Sequence, residues 1–326
     1  MRAARIHDWK GVPVVEDLPL PERRSQQTLV RIDAATISHL DLTVRTGEFP
    51  LGPSLPYVPG CEGAGTVVES DTLAAGTQVI FRAHAVGLDC DGTWREYAVV
   101  PDEALLPVAT PVDPAVAATF LTPTTTAAVA LFTIGRLEAG QTVLVSGATG
   151  AVGSMAVQLA HAAGANVLAL VSRSSRLRDL PAGVQGISLA DADATAKLAE
   201  TRPADLLIDT IGGAGLSQRI GWVARGGKVA CLGYTAGTEF TIDLPSWFFS
   251  TVSILPVNLM ANEAEAHRFA AELLPRFADG GLTIAVQEFE LEQVADALDR
   301  LSQGRVNGRA VLRFRPAAET ATAVNA

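Results

Sequence analysis

Gly147, Gly150 and Gly153 stand at the spacing that lets a backbone hold a pyrophosphate. The segment reads Ser146-Gly147-Ala148-Thr149-Gly150-Ala151-Val152-Gly153. The first two glycines permit a tight turn and close approach of N–H groups to an anion. The third lets the following helix pack on the preceding strand. That helix then offers free amides and its positive dipole end to the phosphates. Such a pattern means little without its setting. Here a strand is expected at 142–145, a helix at 151–163 and a strand at 167–171. Val152, Met155, Ala156, Leu159 and Ala163 share one helix face, and Gly164 stops it. Gly147, Ala148, Thr149, Gly150, Ala151, Val152 and Gly153 are therefore expected to bind a nicotinamide dinucleotide.

The end of the second strand selects between the two forms of that cofactor. A carboxylate there would bind the ribose hydroxyls of NAD. The sequence instead runs Val171-Ser172-Arg173-Ser174-Ser175-Arg176. Ser172, Arg173 and Arg176 can meet a 2′-phosphate with charge-assisted hydrogen bonds, so NADP (NADPH) is expected. Asp209-Thr210-Ile211-Gly212-Gly213 and Cys231-Leu232-Gly233-Tyr234 each end an expected strand. Ligands bind at such strand ends in open α/β sheets, which brings Leu232, Gly233 and Tyr234 into the expected site.

These residues need elements to position them. From about residue 113, helices are expected at 114–121 and 126–132. Strand and helix patterns then alternate, with further strands at 206–209, 229–232 and 254–257. Continuous apolar strands between helices imply a parallel sheet covered on both faces. Residues 1 to about 115 differ. Short alternating stretches at 28–32, 65–68, 78–81 and 96–100 lie among Pro and Gly and read as all-β. After residue 260 a helix (263–278), a strand (284–289), a helix (291–302) and a strand (309–314) are expected. They would finish the nucleotide domain and return to the first one.

Composition narrows the function. A chain of 326 residues, 48% hydrophobic, suits two domains with sizeable cores. Its 25 Lys+Arg against 35 Asp+Glu give a net charge of −10. That surface argues against nucleic acid or an anionic membrane as partner. Cys61, Cys90 and Cys231 are odd in number and without a CxxC, which argues against a disulfide framework or a four-cysteine zinc lobe. The N-terminus has no apolar signal segment, and no apolar run approaches a membrane span in length, so a cytoplasmic location is expected. Residues 316–326 are small and polar and are expected to be disordered.

The ordered motifs resemble a family. GCEGAGTV at 60–67, GTWREYAVVP at 92–101, LEAGQTVLVSGATGAVG at 137–153, DTIGG at 209–213, GGKVACLG at 226–233 and NGRAVL at 307–312 occur in sequence. Together they resemble the zinc-independent medium-chain dehydrogenases/reductases of the quinone oxidoreductase (zeta-crystallin-like) type. The resemblance covers nearly the whole chain. It implies an α/β protein made of a GroES-like β-rich catalytic domain and a Rossmann domain with a doubly wound parallel sheet. The first would comprise 1–115 completed by 280–326, and the second 116–279. It also implies a homodimer and places Thr126 at the cofactor.

Relatives with a catalytic zinc provide a test. Their first ligand is a Cys opening a Cys-His-x-Asp stretch, where this chain has Ser38-His39-Leu40-Asp41. Their second is a His, where this chain has Cys61. The third would fall at 122–124, which reads Thr-Pro-Thr. Residues 84–94 hold only Cys90, so a structural zinc is not expected either. No metal is expected. Without a Lewis acid, simple ketones become poor substrates and conjugated acceptors better ones, because a developing enolate needs only hydrogen bonds and a proton. The expected function is an NADPH-dependent reductase of a quinone or α,β-unsaturated carbonyl. Two alternatives stay open: an enoyl-thioester reductase of polyketide or fatty-acid-like biosynthesis, and a non-catalytic NADPH-binding protein. Ser38, His39 and Asp41 are the candidate catalytic residues. Asp41 and Glu62 both also have a structural reading, paired with an Arg or a backbone N–H, and for both it is favoured over catalysis. The resemblance implies a Tyr at the 2′-phosphate, where this chain has Leu189, and a Lys where it has Arg176.

Overall fold

The computed structural model describes residues 1–49, 52–82 and 86–315. The expectation for 316–326 lies outside the described residues. The chain divides into two units: Met1–Thr122 with Ile284–Ala326, and Pro123–Thr283.

The first unit is built on a seven-stranded sheet. Its strands run, in spatial order, Val286–Phe289, Arg309–Arg313, Gln27–Ile37, Glu62–Glu69, Gln78–Arg82 and Leu105–Pro107. Tyr97–Pro101 also pairs with Gln27–Ile37. Gln27–Ile37 alternates half-buried and buried residues over most of its length, as a sheet facing a core on one side must. The late strand Arg309–Arg313 joins it antiparallel, setting Ala310 opposite Ile37. The sheet core includes Val30, Ile32, Phe81, Trp94 and Leu312, and Val294–Ser302 packs Val294, Ala297, Leu298 and Leu301 onto it. One short helix, His39–Val44, follows Gln27–Ile37 directly.

The second unit is a six-stranded parallel sheet. Its order is Gln185–Ser188, Asn166–Val171, Thr142–Val145, Ala204–Asp209, Val223–Cys231, Ser253–Pro256. The order reverses between Thr142–Val145 and Ala204–Asp209. That switch point is where an open parallel sheet leaves room for a ligand beyond its C-terminal strand ends. The fold is thus α/β, with a GroES-like unit and a Rossmann unit.

Four local readings are corrected. Gln185–Ser188 is a strand that was not expected: only Ile187 in it is a large apolar residue, and it pairs on one side alone. The helices Ala192–Thr201 and Leu244–Ser250 were also not foreseen. The expected helices at 114–121 and 126–132 are instead Pro114–Ala117 and Leu121–Ala128, the latter running on into a π-helix, Val129–Ile134. Finally, Pro114–Ile134 is long and apolar enough to cross a membrane by length and composition. With 78% of that window buried inside the protein, it serves as core.

Candidate active site

The glycine turn forms as a tight turn between Thr142–Val145 and the helix Ala151–Ala162. It is tied to the neighbouring strands at the switch point. The Ser146 amide donates to the Ile208 carbonyl (3.0 Å), and the Ala148 amide donates to Leu170 (3.1 Å). Thr210 clasps the turn twice: its amide donates to Ser146 Oγ (2.9 Å) and its hydroxyl to the Ser146 carbonyl (2.7 Å). Gly147 has φ +60°, and a Cβ there would lie 2.5 Å from Thr210 Oγ1. At Gly153 a Cβ would run into the Gly147 carbonyl. Glycine at both positions is what lets strand, turn and helix close up. Gly150 caps the helix with no side-chain hydrogen bond. The first helical bond runs from the Ser154 amide to the Gly150 carbonyl (2.9 Å), so the amides of Ala151, Val152 and Gly153 precede it.

Two further turns sit at adjacent strand ends. Asp209 is fully buried and grips Arg219, whose Nε donates to Oδ2 at 2.5 Å. Arg219 Nη2 also donates to the Gly212 carbonyl (2.8 Å), while Asp209 Oδ1 accepts from the Gly212 amide (2.7 Å). The Asp209 carbonyl accepts from Leu232 and Gly233. This pair fixes the 209–213 turn against the one carrying Leu232, Gly233 and Tyr234. Tyr234 is exposed, and Thr126 is half-buried on Leu121–Ala128.

Beyond Asn166–Val171, Ser172 and Arg173 are exposed, and Arg176 is half-buried on a 3₁₀ helix, Ser174–Asp179. The strand end holds no carboxylate, yet Asp179 Oδ2 comes within 3.9 Å of Arg176 Nη1. The sequence does not reveal this approach, because Asp179 lies eight residues past Val171 and only the 3₁₀ helix brings it back to Arg176. Leu189 packs against the core of this unit. So does Trp247, whose indole donates to the Val252 carbonyl.

In the first unit, Ser38 and Asp41 form a capping box at the start of His39–Val44. Asp41 Oδ2 accepts from the Ser38 hydroxyl (2.6 Å) and amide (2.7 Å), and Oδ1 faces Cys61 Sγ at 3.8 Å. Burial pushes the Asp41 carboxyl up, against the bonds from Ser38 and the charge of Arg309. Burial, then the charges of Asp41 and Glu62, push the Cys61 thiol well above its usual range. His39 is exposed, while the packing around its ring and the Arg309 cation hold its pKa below that of a free imidazole. Next to this group, Glu62 is buried and fully engaged. Oε1 accepts from the Thr122 amide (2.7 Å), and Oε2 from Arg309 Nη2 (2.8 Å). Arg309 Nη2 also donates to Thr36 Oγ1 (3.1 Å). The expected structural role of Glu62 is the one the geometry gives it. Tyr57 is buried as packing beside Trp9.

Comparison with known proteins supplies the lineage. A family described as "Alcohol dehydrogenase GroES-like domain" matches residues 24–110, and one described as "Zinc-binding dehydrogenase" matches 151–277. The chain is 27% identical to the quinone oxidoreductase of Mus musculus, covering 93% of this chain and 95% of that protein. It is 26% identical to an alcohol dehydrogenase of Geobacillus stearothermophilus, covering 97% and 99%. The chain belongs to the medium-chain dehydrogenase/reductase family. Among solved structures, this dehydrogenase/reductase is similar to an NAD-dependent alcohol dehydrogenase (28% identity, TM-score 0.87, 97% and 100% covered). It is also similar to the quinone oxidoreductase of Thermus thermophilus, solved alone and with NADPH (26%, 0.78, 96% and 100%). It is an oxidoreductase with a nucleotide-binding unit and quinone oxidoreductases among its relatives.

The residues of this dehydrogenase/reductase fit a dinucleotide. The turn is filled to its limit at Gly147 and Gly153, and no side chain caps the backbone donors at the helix start. They do not fit a catalytic zinc. Such an ion takes three His, Cys or carboxylate ligands. Here Ser38 offers a hydroxyl already bonded to Asp41, and 122–124 offers two more hydroxyls. Of those positions only Cys61 carries a side chain of the kind zinc takes. Sequence reasoning missed the Asp209–Arg219 pair, since nothing in an isolated Arg219 marks it as the partner of a strand-end acid ten residues earlier.

Proposed function

We propose that this oxidoreductase uses NADPH to reduce a quinone or another α,β-unsaturated carbonyl compound, without zinc. The observation that carries the reading is the closed group Ser38–Asp41–Cys61: Ser38 and Cys61 occupy the positions that match the first two metal ligands of zinc-bearing relatives, and Asp41 accepts from both. The amides of Ala151, Val152 and Gly153, with Gly147, Ala148, Thr149 and Gly150 behind them, would hold the pyrophosphate. Ser172, Arg173 and Arg176 would hold the 2′-phosphate, and Thr126, Leu232, Gly233 and Tyr234 the rest of the dinucleotide. When bound, the cofactor supplies a hydride. The chain must then steady an enolate and deliver a proton.

His39 is the residue assigned to that proton. It is exposed, and its lowered pKa leaves it mostly neutral at pH 7. Turnover in the direction of reduction should therefore rise as pH falls below about 6.5. Ser38 and Asp41 are positioning residues, since their polar atoms hold each other and fix the start of the helix that carries His39. A cytoplasmic homodimer belongs to the same reading. Phe248 and Phe249 are 64% and 76% exposed, beside Ser253–Pro256, which among the described residues has a sheet partner on one side only.

The test is NADPH oxidation against quinones, enals, enones and enoyl thioesters, with metal analysis of the same sample. Activity with quinones or enones and less than one zinc per chain supports the reading. A stoichiometric zinc required for activity overturns it. Activity confined to enoyl thioesters would assign the chain to that biosynthetic class. Binding with no turnover on any substrate would leave a cofactor-binding protein.

A further inference from the structure

The two forms of the cofactor differ by one 2′-phosphate, so the charges that face that group set the preference. Arg173, Arg176, Arg178 and Asp179 all lie on or next to the short helix Ser174–Asp179. Arg178 is 84% exposed, whereas Arg176 and Asp179 keep only 19% and 26% of their side-chain surface. Asp179 stands between two cations, with Oδ2 3.9 Å from Arg176 Nη1 and Oδ1 3.9 Å from Arg178 Nε. The helix is fastened from below. A Cβ on Gly186 would lie 2.6 Å from both Leu177 and Leu180, so their side chains already press on the sheet.

We propose that Asp179 is a specificity-determining residue, a counter-charge that weakens 2′-phosphate binding and keeps the pocket open to NADH as well as NADPH. The proposal rests on the assignment of Arg176 to the 2′-phosphate. A phosphate that reaches Arg176 displaces Asp179 from the guanidinium and comes to rest near the displaced carboxylate. Like charges at that range repel even through water. A ribose hydroxyl meets no such repulsion and can donate to the carboxylate instead. Removing the charge of Asp179 therefore favours one form of the cofactor alone.

Asp179→Asn preserves size and an acceptor oxygen while removing the charge. Calorimetric titration of the wild type, Asp179→Asn and Arg176→Ala with NADPH and with NADH decides the matter. Asp179→Asn should bind NADPH about three- to tenfold more tightly, with NADH unchanged or weaker. The gain should shrink as salt rises toward about 0.5 M, because partly exposed charges are screened. Unchanged or weaker NADPH binding by Asp179→Asn overturns the proposal. Arg176→Ala tests the assignment beneath it, and should lose NADPH selectively. Equal losses of both forms would remove that assignment, and the role of Asp179 with it.

Discussion

The glycine turn and the Ser38–Asp41–Cys61–Glu62 region differ in what their polar groups do. At the turn, donors come from backbone, and Gly150 leaves the helix start without a side-chain cap. Around Asp41 and Glu62 the polar side chains close on each other, Ser38 on Asp41, Cys61 on Asp41 and Arg309 on Glu62, and the Thr122 amide completes Glu62. A region that keeps donors for a ligand holds them on rigid backbone and leaves them free. A region whose donors are matched internally supports the fold around it. Residue type alone separates these poorly, since Ser, His, Asp, Cys and Glu look more chemical than Gly, Ala and Val.

The largest effect should come from opening the closed region. Glu62→Gln removes the charge that faces Arg309 in a buried setting, where both side chains are nearly inaccessible. Breaking a buried pair from one side costs about 3–5 kcal/mol. Urea denaturation should show that loss, and Glu62→Leu with Arg309→Met should recover most of it. A loss below about 1 kcal/mol would mean that water reaches the pair and the region is not closed.

The turn should respond by position. Gly153→Val drives a side chain into the Gly147 carbonyl and should cost about 3 kcal/mol. Gly150 has φ −79° and ψ 174°, and its nearest obstacle is the Gly147 carbonyl at 3.2 Å. Gly150→Val should therefore melt within a few degrees of the wild type yet lose nucleotide binding, because the new methyls cover the amides that face the phosphates. Normal binding by Gly150→Val would take the pyrophosphate away from this turn.

Much of this was legible because it is local. Thr142–Val145 is a β-branched threonine followed by three buried apolar residues, and Glu263–Ala278 repeats its apolar residues at helical spacing, so both were expected at the bounds observed. Gln185–Ser188 was not, since an edge strand with a glycine and one large apolar residue carries little signal. The long-range pairs were hidden for another reason. Glu62 was read as a structural acid, but its partner Arg309 lies 247 residues away, and only the pairing of Arg309–Arg313 with Gln27–Ile37 brings it back. The approach of Asp179 to Arg176 depends on a 3₁₀ turn that no apolar period announces.

Alkaline pH sharpens the comparison with a smaller effect. In the unfolded chain Cys61 ionises near about pH 8.5, whereas in the folded chain burial and the charges of Asp41 and Glu62 keep it protonated well above that. The folded state thus retains a proton that the unfolded state releases. The resulting stabilisation is complete below about pH 8.5 and is lost as pH rises toward the folded pKa, at up to about 1.4 kcal/mol per pH unit. Cys231, pushed up to about 11 by burial, adds a similar slope of its own. The informative quantity is therefore the difference between wild type and Cys61→Ala in urea midpoints from pH 7.5 to 10. Cys61→Ala should be less sensitive to alkali, and parallel curves would show that Cys61 is not enclosed.

Ser38→Ala should have the smallest effect and divides two roles for this residue. Its hydroxyl hydrogen is directed at Asp41 Oδ2 over 2.6 Å, and its oxygen lies 3.4 Å from the Asp41 amide as the helix cap. Losing a cap costs about 1 kcal/mol. Were Ser38 the donor to a developing enolate, its removal would lower kcat by about a hundredfold or more. As a positioning residue it should lower kcat by less than about threefold, with the loss appearing in Tm. Asp41 accepts from the Ser38 amide as well, at 2.7 Å, so the helix start keeps one of its two ties after the substitution. A hundredfold fall in kcat at unchanged Tm would move Ser38 from the closed region to the reacting atoms.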